Sequence, residues 1–441
     1  MASIMCTTPE SVNSAPRVIF TFCEAGNILY TENVMEIIEK GTFQNQAYRL
    51  VLSKRQIHGW WPGWRECTSE RLLINPYSGC AHRCRLCYAN AFPFSHFRHF
   101  RDTGEITVVQ DYHRAVARQL DSINWAACGY LSPVTDPFQP LENRFGLSVR
   151  IVETFVRRNI PVEFITKGRV PDEVLSLMAG QEHSFGQVSI LTPSEALRRK
   201  LSPGGADTAT LFENLLRITG ARRPSNFPPM AAVLRIDPIF PFITDDTDDL
   251  QKIILEASLR GVKHVVASSV DVPIGTSKKA YQWMYSLNSS PPIPFEQLFC
   301  ECIGARFHAD ITYRRRLFST LRELAVKKGM SFALCMEFEK IADPVSGAGI
   351  LGGLNEDFMT GTLNCEGVDV PIYRRNRDET YRSEITGEER PLFAPVSEKC
   401  KGNCLSCTDS PCGIPDLAQS GRDRCRGWRL SDYRRWSRTG S

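Results

Sequence analysis

The sequence predicts an α/β fold organised on a parallel sheet, with an N-terminal extension before it and a cysteine-rich metal-binding domain after it. Three observations predict this. From Arg71 to about Glu337, short β-rich runs alternate with amphipathic helical stretches, the pattern of successive βαβ units. The candidate strands end in polar residues, as the loop-bearing edge of a parallel sheet does. The first of them empties, through a Pro/Ser/Gly punctuation, into three thiols, Cys80, Cys84 and Cys87, spaced C-x3-C-x2-C, and the same spacing recurs near the C-terminus.

In residues 1–70, two apolar stretches, Val18 to Phe22 and Ala47 to Leu52, precede Trp60, Trp61 and Trp64. With Pro62 and Gly63 among them, these tryptophans cannot form a regular helix interior. They read as a plug on one end of the core, with an aromatic stacking wall as the functional alternative. Across residues 71–340, strands are expected over Leu72 to Asn75, Cys128 to Val134, Pro161 to Thr166, Gln187 to Leu191, Ala231 to Ile236 and Lys263 to Ser268. Helical periodicity falls between them at Leu147 to Arg158, Asp172 to Met178, Thr208 to Thr219 and Asp246 to Arg260, each with apolar residues three and four apart. The strand ends carry Thr135 and Asp136, Thr166 and Lys167, Ser189 and Thr192, Arg235 and Asp237, and Ser268 to Asp271. One such end would be an ordinary turn. Five of them in register beside a cysteine loop point to a site.

At 441 residues the chain has room for one large α/β domain with additions. No run approaches a membrane span and no signal-peptide layout opens the chain, so the cytoplasm is the expected compartment. There, the 16 cysteines point to metal rather than to disulfides. The net charge of +4 carries no argument for nucleic acid.

Three thiolates hold three irons of a [4Fe-4S] cube and leave the fourth open, whereas an electron-transfer cluster takes four ligands. A zinc site completed by His82 or Cys67 is the alternative reading of the same triad. Taken with Asn75-Pro-Tyr-Ser-Gly-Cys80, Thr135-Asp-Pro-Phe-Gln-Pro-Leu-Glu142, Ile165-Thr-Lys167, Val188-Ser-Ile190 and Arg235-Ile-Asp-Pro238, the triad resembles the radical S-adenosylmethionine (SAM) enzymes, and within them the spore photoproduct lyase-like family. The resemblance spans about residues 70–340. It implies a partial (β/α)6 TIM-type barrel, a [4Fe-4S] cluster on Cys80, Cys84 and Cys87, SAM chelated at the open iron, and a flavodoxin- or ferredoxin-like electron donor. It further implies that Lys167 and Ser189 hold the carboxylate end of SAM and that Thr135 and Asp136 lie beside SAM or substrate. Arg235 and Asp237 are candidates for substrate binding, or else a structural ion pair. Tyr88, after the last cluster cysteine, keeps the tyrosine of the family.

The motifs depart from the lyases at two points. Pro133 stands where the lyase has its hydrogen-donating cysteine, and Leu86 precedes the last cluster cysteine where the lyase has a tyrosine. The expected substrate is therefore a small metabolite, a nucleoside or a peptide side chain rather than a thymine photodimer. The rival class is a non-catalytic metal-bearing nucleic-acid-binding protein, or a nucleic-acid-modifying enzyme of lyase type.

Beyond Glu339 the alternation stops, and Gly347 to Gly353 reads as a flexible connection into residues 341–441. Cys400, Cys404, Cys407 and Cys412 can supply four ligands to a second [4Fe-4S] cluster or to zinc, with Cys365 and Cys425 as further candidates. The last twenty residues hold seven arginines with Trp428, Tyr433 and Trp436. They read as a terminal amphipathic helix packed on the barrel. Phosphate tracking with base stacking is the less favoured alternative.

Overall fold

The computed structural model describes residues 35–59, 70–91, 95–342, 349–404, 406–417 and 429–439. At its centre, seven strands form one sheet: Leu72–Ile74, Gly129–Leu131, Val162–Thr166, Phe185–Ser189, Ala232–Ile239, His264–Ser269 and Ser331–Leu334. Every neighbouring pair is parallel, and spatial order follows chain order. Order without reversal is the wiring of a (β/α) barrel rather than of a doubly wound sheet. Among the described residues no pairing joins the first strand to the seventh, so the sheet is open. Leu72–Ile74 and Phe185–Ser189 are buried along their whole length, as strands covered on both faces must be.

The six strands expected from sequence are present, each within a few residues. The seventh, Ser331–Leu334, has only four residues and no polar alternation, so periodicity cannot distinguish it from a buried helical turn. It is reached after an insertion that contains the helix Ser277–Leu287, a small hairpin of Glu301–Ile303 and Arg306–His308, and the helix Ile311–Lys327. The covering helices Leu147–Val156, Asp172–Ala179, Thr208–Thr219 and Thr247–Leu259 match the expected segments. Their entry points are local chemistry: Asp207 and Asp246 accept from the amides of Thr210 and of Asp248 and Asp249, caps worth about 1 kcal/mol each.

In the N-terminal region, Glu36–Phe43 and Gln46–Leu52 form a hairpin whose two turn residues, Gln44 and Asn45, both have positive φ, as a two-residue turn matched to strand twist requires. Gln46–Leu52 continues in parallel onto Ile106–Val109, which also pairs with Tyr77–Ser78 beside the cysteine loop. The tryptophans at 60, 61 and 64, the stretch 18–22, Cys67, Cys425 and Trp428 lie outside the described residues.

One expectation for the C-terminal region is corrected. Gly349–Gly353 is not a flexible connection but a strand, paired antiparallel with Phe338–Ala342. Glycine disfavours strands on average, but tertiary pairing overrides propensity here, and a Cβ at Gly352 would stand 3.0 Å from Ile341 Cδ1. The expected terminal helix is observed as Leu430–Thr439. Tyr433 and Trp436 are buried, with the Tyr433 hydroxyl donating to the Glu70 carbonyl at 2.5 Å and Trp436 Nε1 donating to Asp416, so neither ring is open for stacking on a base. No helix among the described residues is long and apolar enough to cross a membrane.

Candidate functional site

The polar strand ends and the cysteine loop meet at the C-terminal edge of the sheet. The loop begins at Gly79, whose φ of +101° and whose Cβ position, 2.5 Å from the Phe100 ring, exclude any other residue. Arg83 and Leu86 also take positive φ, folding the three thiols back within one short segment. Its position is set from two sides. Gln139 accepts from the Ala81 amide at 3.0 Å and donates to the Gly79 carbonyl. The Arg85 amide donates to the Leu201 carbonyl at 2.8 Å, and the Gly204 amide to the His82 carbonyl at 3.0 Å. A Cβ at Gly204 would lie 2.2 Å from the Ala81 oxygen, so this joint needs glycine.

Asp136 locks the second side. Its carboxylate accepts from the Thr166 hydroxyl at 2.9 Å, the Lys167 amide at 2.7 Å and the Phe138 amide at 2.9 Å, and lies 3.2 Å from His82 Nδ1. Burial pushes this carboxyl up, but His82 and the amide donors outweigh it and hold it below the usual range. Asp136 was expected beside SAM or substrate; its oxygens are engaged within the protein, which suits a bracket between the ends of the second and third strands and the cysteine loop. Lys167 is half-buried, and its Nζ donates to the Asp237 carbonyl at 3.3 Å.

Burial raises the Cys80 thiol well above its usual range, with Asp136, Cys84 and Cys87 adding to it. Burial and Cys84 push Cys87 up to about 11, with Lys167 pulling the other way. Thiols crowded in this way stay protonated until a cation joins them. Among the described residues, no three His, Cys, Asp or Glu side chains already surround a point suited to a metal ion. His82, one proposed fourth ligand for zinc, is buried with Nδ1 turned to Asp136.

The fit to a polar cofactor is tested by orphaned atoms. Asn75 Oδ1, Ser132 Oγ, Thr135 Oγ1, Ser189 Oγ and Ser269 Oγ are buried without a protein partner. All five sit at, or within a few residues after, the ends of the first, second, fourth and sixth strands. Each unpaired buried group costs about 1–3 kcal/mol, a penalty that a ligand carrying amino, carboxylate and hydroxyl groups removes. Thr135 and Ser189 were expected here. Asn75, Ser132 and Ser269 were visible in the sequence only as strand-end residues, because the burial of their polar atoms is set by neighbours distant in the chain.

Further into the sheet a buried polar chain runs from the mouth to the foot. Arg235 donates to the Asp237 carboxylate at 2.6 Å and to Gln187 Oε1 at 2.9 Å. Gln187 donates to Glu163 at 2.8 Å, and Glu163 accepts from Arg71 at 2.6 Å. Arg71 also meets Glu70 at 3.0 Å and Glu366 at 2.5 Å. The chain fixes Arg235 at the mouth, where the Asp237 side chain is only partly buried. The Tyr88 hydroxyl donates to the Pro133 carbonyl while its ring is 46% exposed. Cys335, which follows the unanticipated seventh strand and donates its amide to Ala267 at 2.9 Å, joins the same edge.

The second cysteine group lies at the opposite end of the first strand. Cys400, Cys404 and Cys412 are buried and Cys407 is half-buried. Burial raises Cys404 well above its usual range, with Glu70, Cys412, Cys400 and Cys407 adding to it; burial brings Cys412 up to about 11. The four thiols thus share one neighbourhood. Glu70, beside Arg71 at the start of the first strand, faces them, and burial pushes its carboxyl up to about 7 against the pull of Arg71. The Ile372 amide donates to Cys400 Sγ at 3.4 Å and Asn364 donates to Asn403. Cys365 is buried, with its carbonyl bonded to His264.

No family model matches the chain. It is 26% identical over 374 residues, 84% of this chain and 73% of the other, to a radical SAM Nα-GlyT isomerase of Pseudomonas phage M6. An uncharacterized protein of Mycobacterium tuberculosis is 26% identical over 201 residues, 44% of this chain, which spans 57% of that relative's length. Among solved structures, a spore photoproduct lyase variant with bound AdoMet and dinucleoside spore photoproduct is similar at a TM-score of 0.44 and 13% identity, over 60% of this chain and 75% of the other. SuiB of Streptococcus suis bound to its precursor peptide SuiA is similar at a TM-score of 0.39 and 11% identity, over 60% of this chain and 48% of the other.

Proposed function

We propose that this chain, which is a radical S-adenosylmethionine enzyme, abstracts hydrogen from a small, nucleoside or peptide substrate at the C-terminal edge of its open barrel. The observation that carries the reading is the coincidence of three thiols on one loop with five orphaned buried polar atoms at the neighbouring strand ends. Cys80, Cys84 and Cys87 would hold the [4Fe-4S] cluster. Lys167, Ser189 and Thr135 would bind SAM: the ammonium is a point charge for a carboxylate, and the hydroxyls can donate or accept. Bound there, the cluster and SAM would supply, after one-electron reduction by an external donor, the radical chemistry that removes a hydrogen atom from a substrate carbon.

Within this reading the residues have separate tasks. Asp136 and Gln139 hold the loop in place. Arg235 and Asp237, fixed by Gln187, orient the substrate, and Tyr88 lines the entrance from the cysteine-loop side. The relative's name supports an isomerisation, a redox-neutral outcome that requires hydrogen abstraction to be followed by hydrogen return. Pro133, without a thiol, supports a substrate other than a thymine photodimer. Cys400, Cys404, Cys407 and Cys412 would hold a second [4Fe-4S] cluster or a zinc ion at the foot of the barrel, and the reducing chemistry suits the cytoplasm.

The test is anaerobic reconstitution, reduction and assay for 5′-deoxyadenosine. Replacing Cys80, Cys84 and Cys87 together with Ala should remove one cube of iron and all SAM cleavage. Continued cleavage by that variant overturns the reading.

A further inference from the structure

A redox-neutral isomerisation must give back to the substrate the hydrogen atom that it removes, and the side chain of Pro133 has none to offer. A thiol stands at the other edge of the sheet. Cys335 follows the seventh strand, and its amide bond to Ala267 continues the register that pairs Ala267 with Leu334, which brings Cys335 level with Ser268. Alternation along the strands puts Cys335, Ala333, Val266 and Arg235 on one face, and Ser189 joins them as the register partner of Arg235. The half-buried Cys335 packs there against the buried group that contains Val233 and Val266. Two clamps fix its position. Asn355 exchanges hydrogen bonds of 2.7 and 2.8 Å with the Leu334 backbone. The buried Glu337 accepts from the Ser269 amide at 2.7 Å, the Ser268 hydroxyl at 3.2 Å and Arg314 at 2.9 Å. Between the clamps, Met336 turns the chain with a φ of +56°, a conformation few L residues adopt.

The mouth closes around this thiol. Arg306 pairs with Asp271, beyond the sixth strand, and donates to the Tyr88 carbonyl at 3.3 Å, so the sixth-strand end is tied to the end of the cysteine loop. Burial works against the Arg235 guanidinium, yet Cys335, Asp237 and Tyr130 hold its pKa well above the usual range. Burial of its hydroxyl raises the Tyr88 phenol, and Cys87, Asp237 and Cys335 add to it. Cys335 thus lies among the groups already assigned to substrate. The Ser189 Oγ on the same face and the Ser269 Oγ at the sixth-strand end are buried without a protein partner, which marks the space between them as polar and meant for a ligand.

We propose that Cys335 is the hydrogen-atom donor to the substrate radical, a role that rests on the functional reading above. The S–H bond is weaker than the C–H bond that replaces it, so transfer to a carbon radical held against the thiol runs downhill. In that step the substrate C–H bond forms, the S–H bond of Cys335 breaks, and a thiyl radical remains. One electron from the external donor that the radical chemistry already requires, with one proton from solvent, restores the thiol. The two clamps suit the task, because a donor must stand at a fixed distance from the reacting carbon.

The test needs no substrate. Cluster-loaded enzyme is reduced with titanium(III) citrate in thiol-free heavy water and given SAM alone, and the 5′-deoxyadenosine released is weighed by mass spectrometry. Because the thiol exchanges with solvent, wild-type enzyme should place one carbon-bound deuterium in the product. Cys335→Ala should lose about tenfold of that label, and so should Cys335→Ser, whose O–H bond exchanges equally but is too strong to donate. Iron content and SAM affinity should hold in both. A second readout uses the unreduced protein: iodoacetamide should alkylate Cys335 before unfolding, and saturating SAM should slow it severalfold. Label that persists in both variants overturns the proposal, as does label lost in Tyr88→Phe but kept in Cys335→Ala. Alkylation that needs unfolding, or that SAM does not slow, overturns it too. Wild-type enzyme that releases 5′-deoxyadenosine without deuterium removes Cys335 as donor and leaves the functional reading standing, whereas wild-type enzyme that releases none removes both.

Discussion

His82 Nδ1 stands 3.2 Å from Asp136 Oδ2, so the cysteine loop after the first strand and the loop after the second are joined through one carboxylate. That carboxylate also receives the Thr166 hydroxyl and the amides of Phe138 and Lys167. Replacing Asp136 with Ala leaves several buried donors unpaired, and a loss of roughly 2–4 kcal/mol is expected together with low iron occupancy after reconstitution. Asp136→Asn should recover much of both. Urea unfolding and iron per chain check this. An Asp136→Ala protein that keeps its iron and stability but loses turnover would move Asp136 from positioning to chemistry.

Lys167 should matter for SAM and not for iron. In the proposed role its ammonium would meet the SAM carboxylate, and a charge-assisted hydrogen bond is worth about 1.5–3 kcal/mol, or roughly ten- to a hundredfold in affinity. Lys167→Ala is expected to weaken SAM binding by that factor at constant iron content. Equilibrium binding to the unreduced enzyme measures it, and unchanged affinity places Lys167 outside the site.

Metal content distinguishes the two readings of the second cysteine group. Two cubes give about eight irons per chain, whereas one cube with a structural zinc gives about four irons and one zinc. Cys404→Ala should remove the second centre and leave the first, because the two groups lie at opposite ends of the first strand. Elemental analysis of both proteins decides, and loss of both centres together would show that they are not independent.

Arg71 forms ion pairs with Glu70, Glu163 and Glu366, all of them buried. Arg71→Met removes the compensation while leaving three carboxyl groups in place, a change that costs about 3–5 kcal/mol. Thermal unfolding should show it directly. The paired variant Arg71→Met/Glu366→Gln is expected to recover part of the loss.

His264 carries a pH prediction. Burial lowers its pKa to about 4, and it is held between the Cys365 carbonyl and the Ser331 hydroxyl. Below about pH 6.5 the unfolded chain takes up a proton that the folded chain refuses, so stability falls from there down to about pH 4 and its share then levels off, a total of roughly 3 kcal/mol. His264→Gln should flatten that part of the profile. Unfolding free energy measured between pH 7 and 4 checks it, and an unaltered slope assigns the acid sensitivity to other groups.

The sequence by itself determined the αβ alternation, six of the seven parallel strands, the capped helices and the cysteine loop with its polar companions, because these depend on residue type and short-range spacing. Thr208–Thr219 matches its expected bounds because Asp207, its cap, and Gly220, its stop, are adjacent in the chain. The tertiary structure alone decided the rest. Ser331–Leu334 is a strand because His264–Ser269 supplies its partner, and Gly349–Gly353 is one because Phe338–Ala342 lies beside it. The joining of His82 and Thr166 through Asp136 and the run from Arg235 through Gln187 and Glu163 to Arg71 link groups tens of residues apart or more. So does the placement of the second cysteine group beneath Glu70. Burial and hydrogen bonding between distant segments set these features, and no local pattern of residues encodes which buried oxygen will find a donor within the protein and which will be left for a ligand.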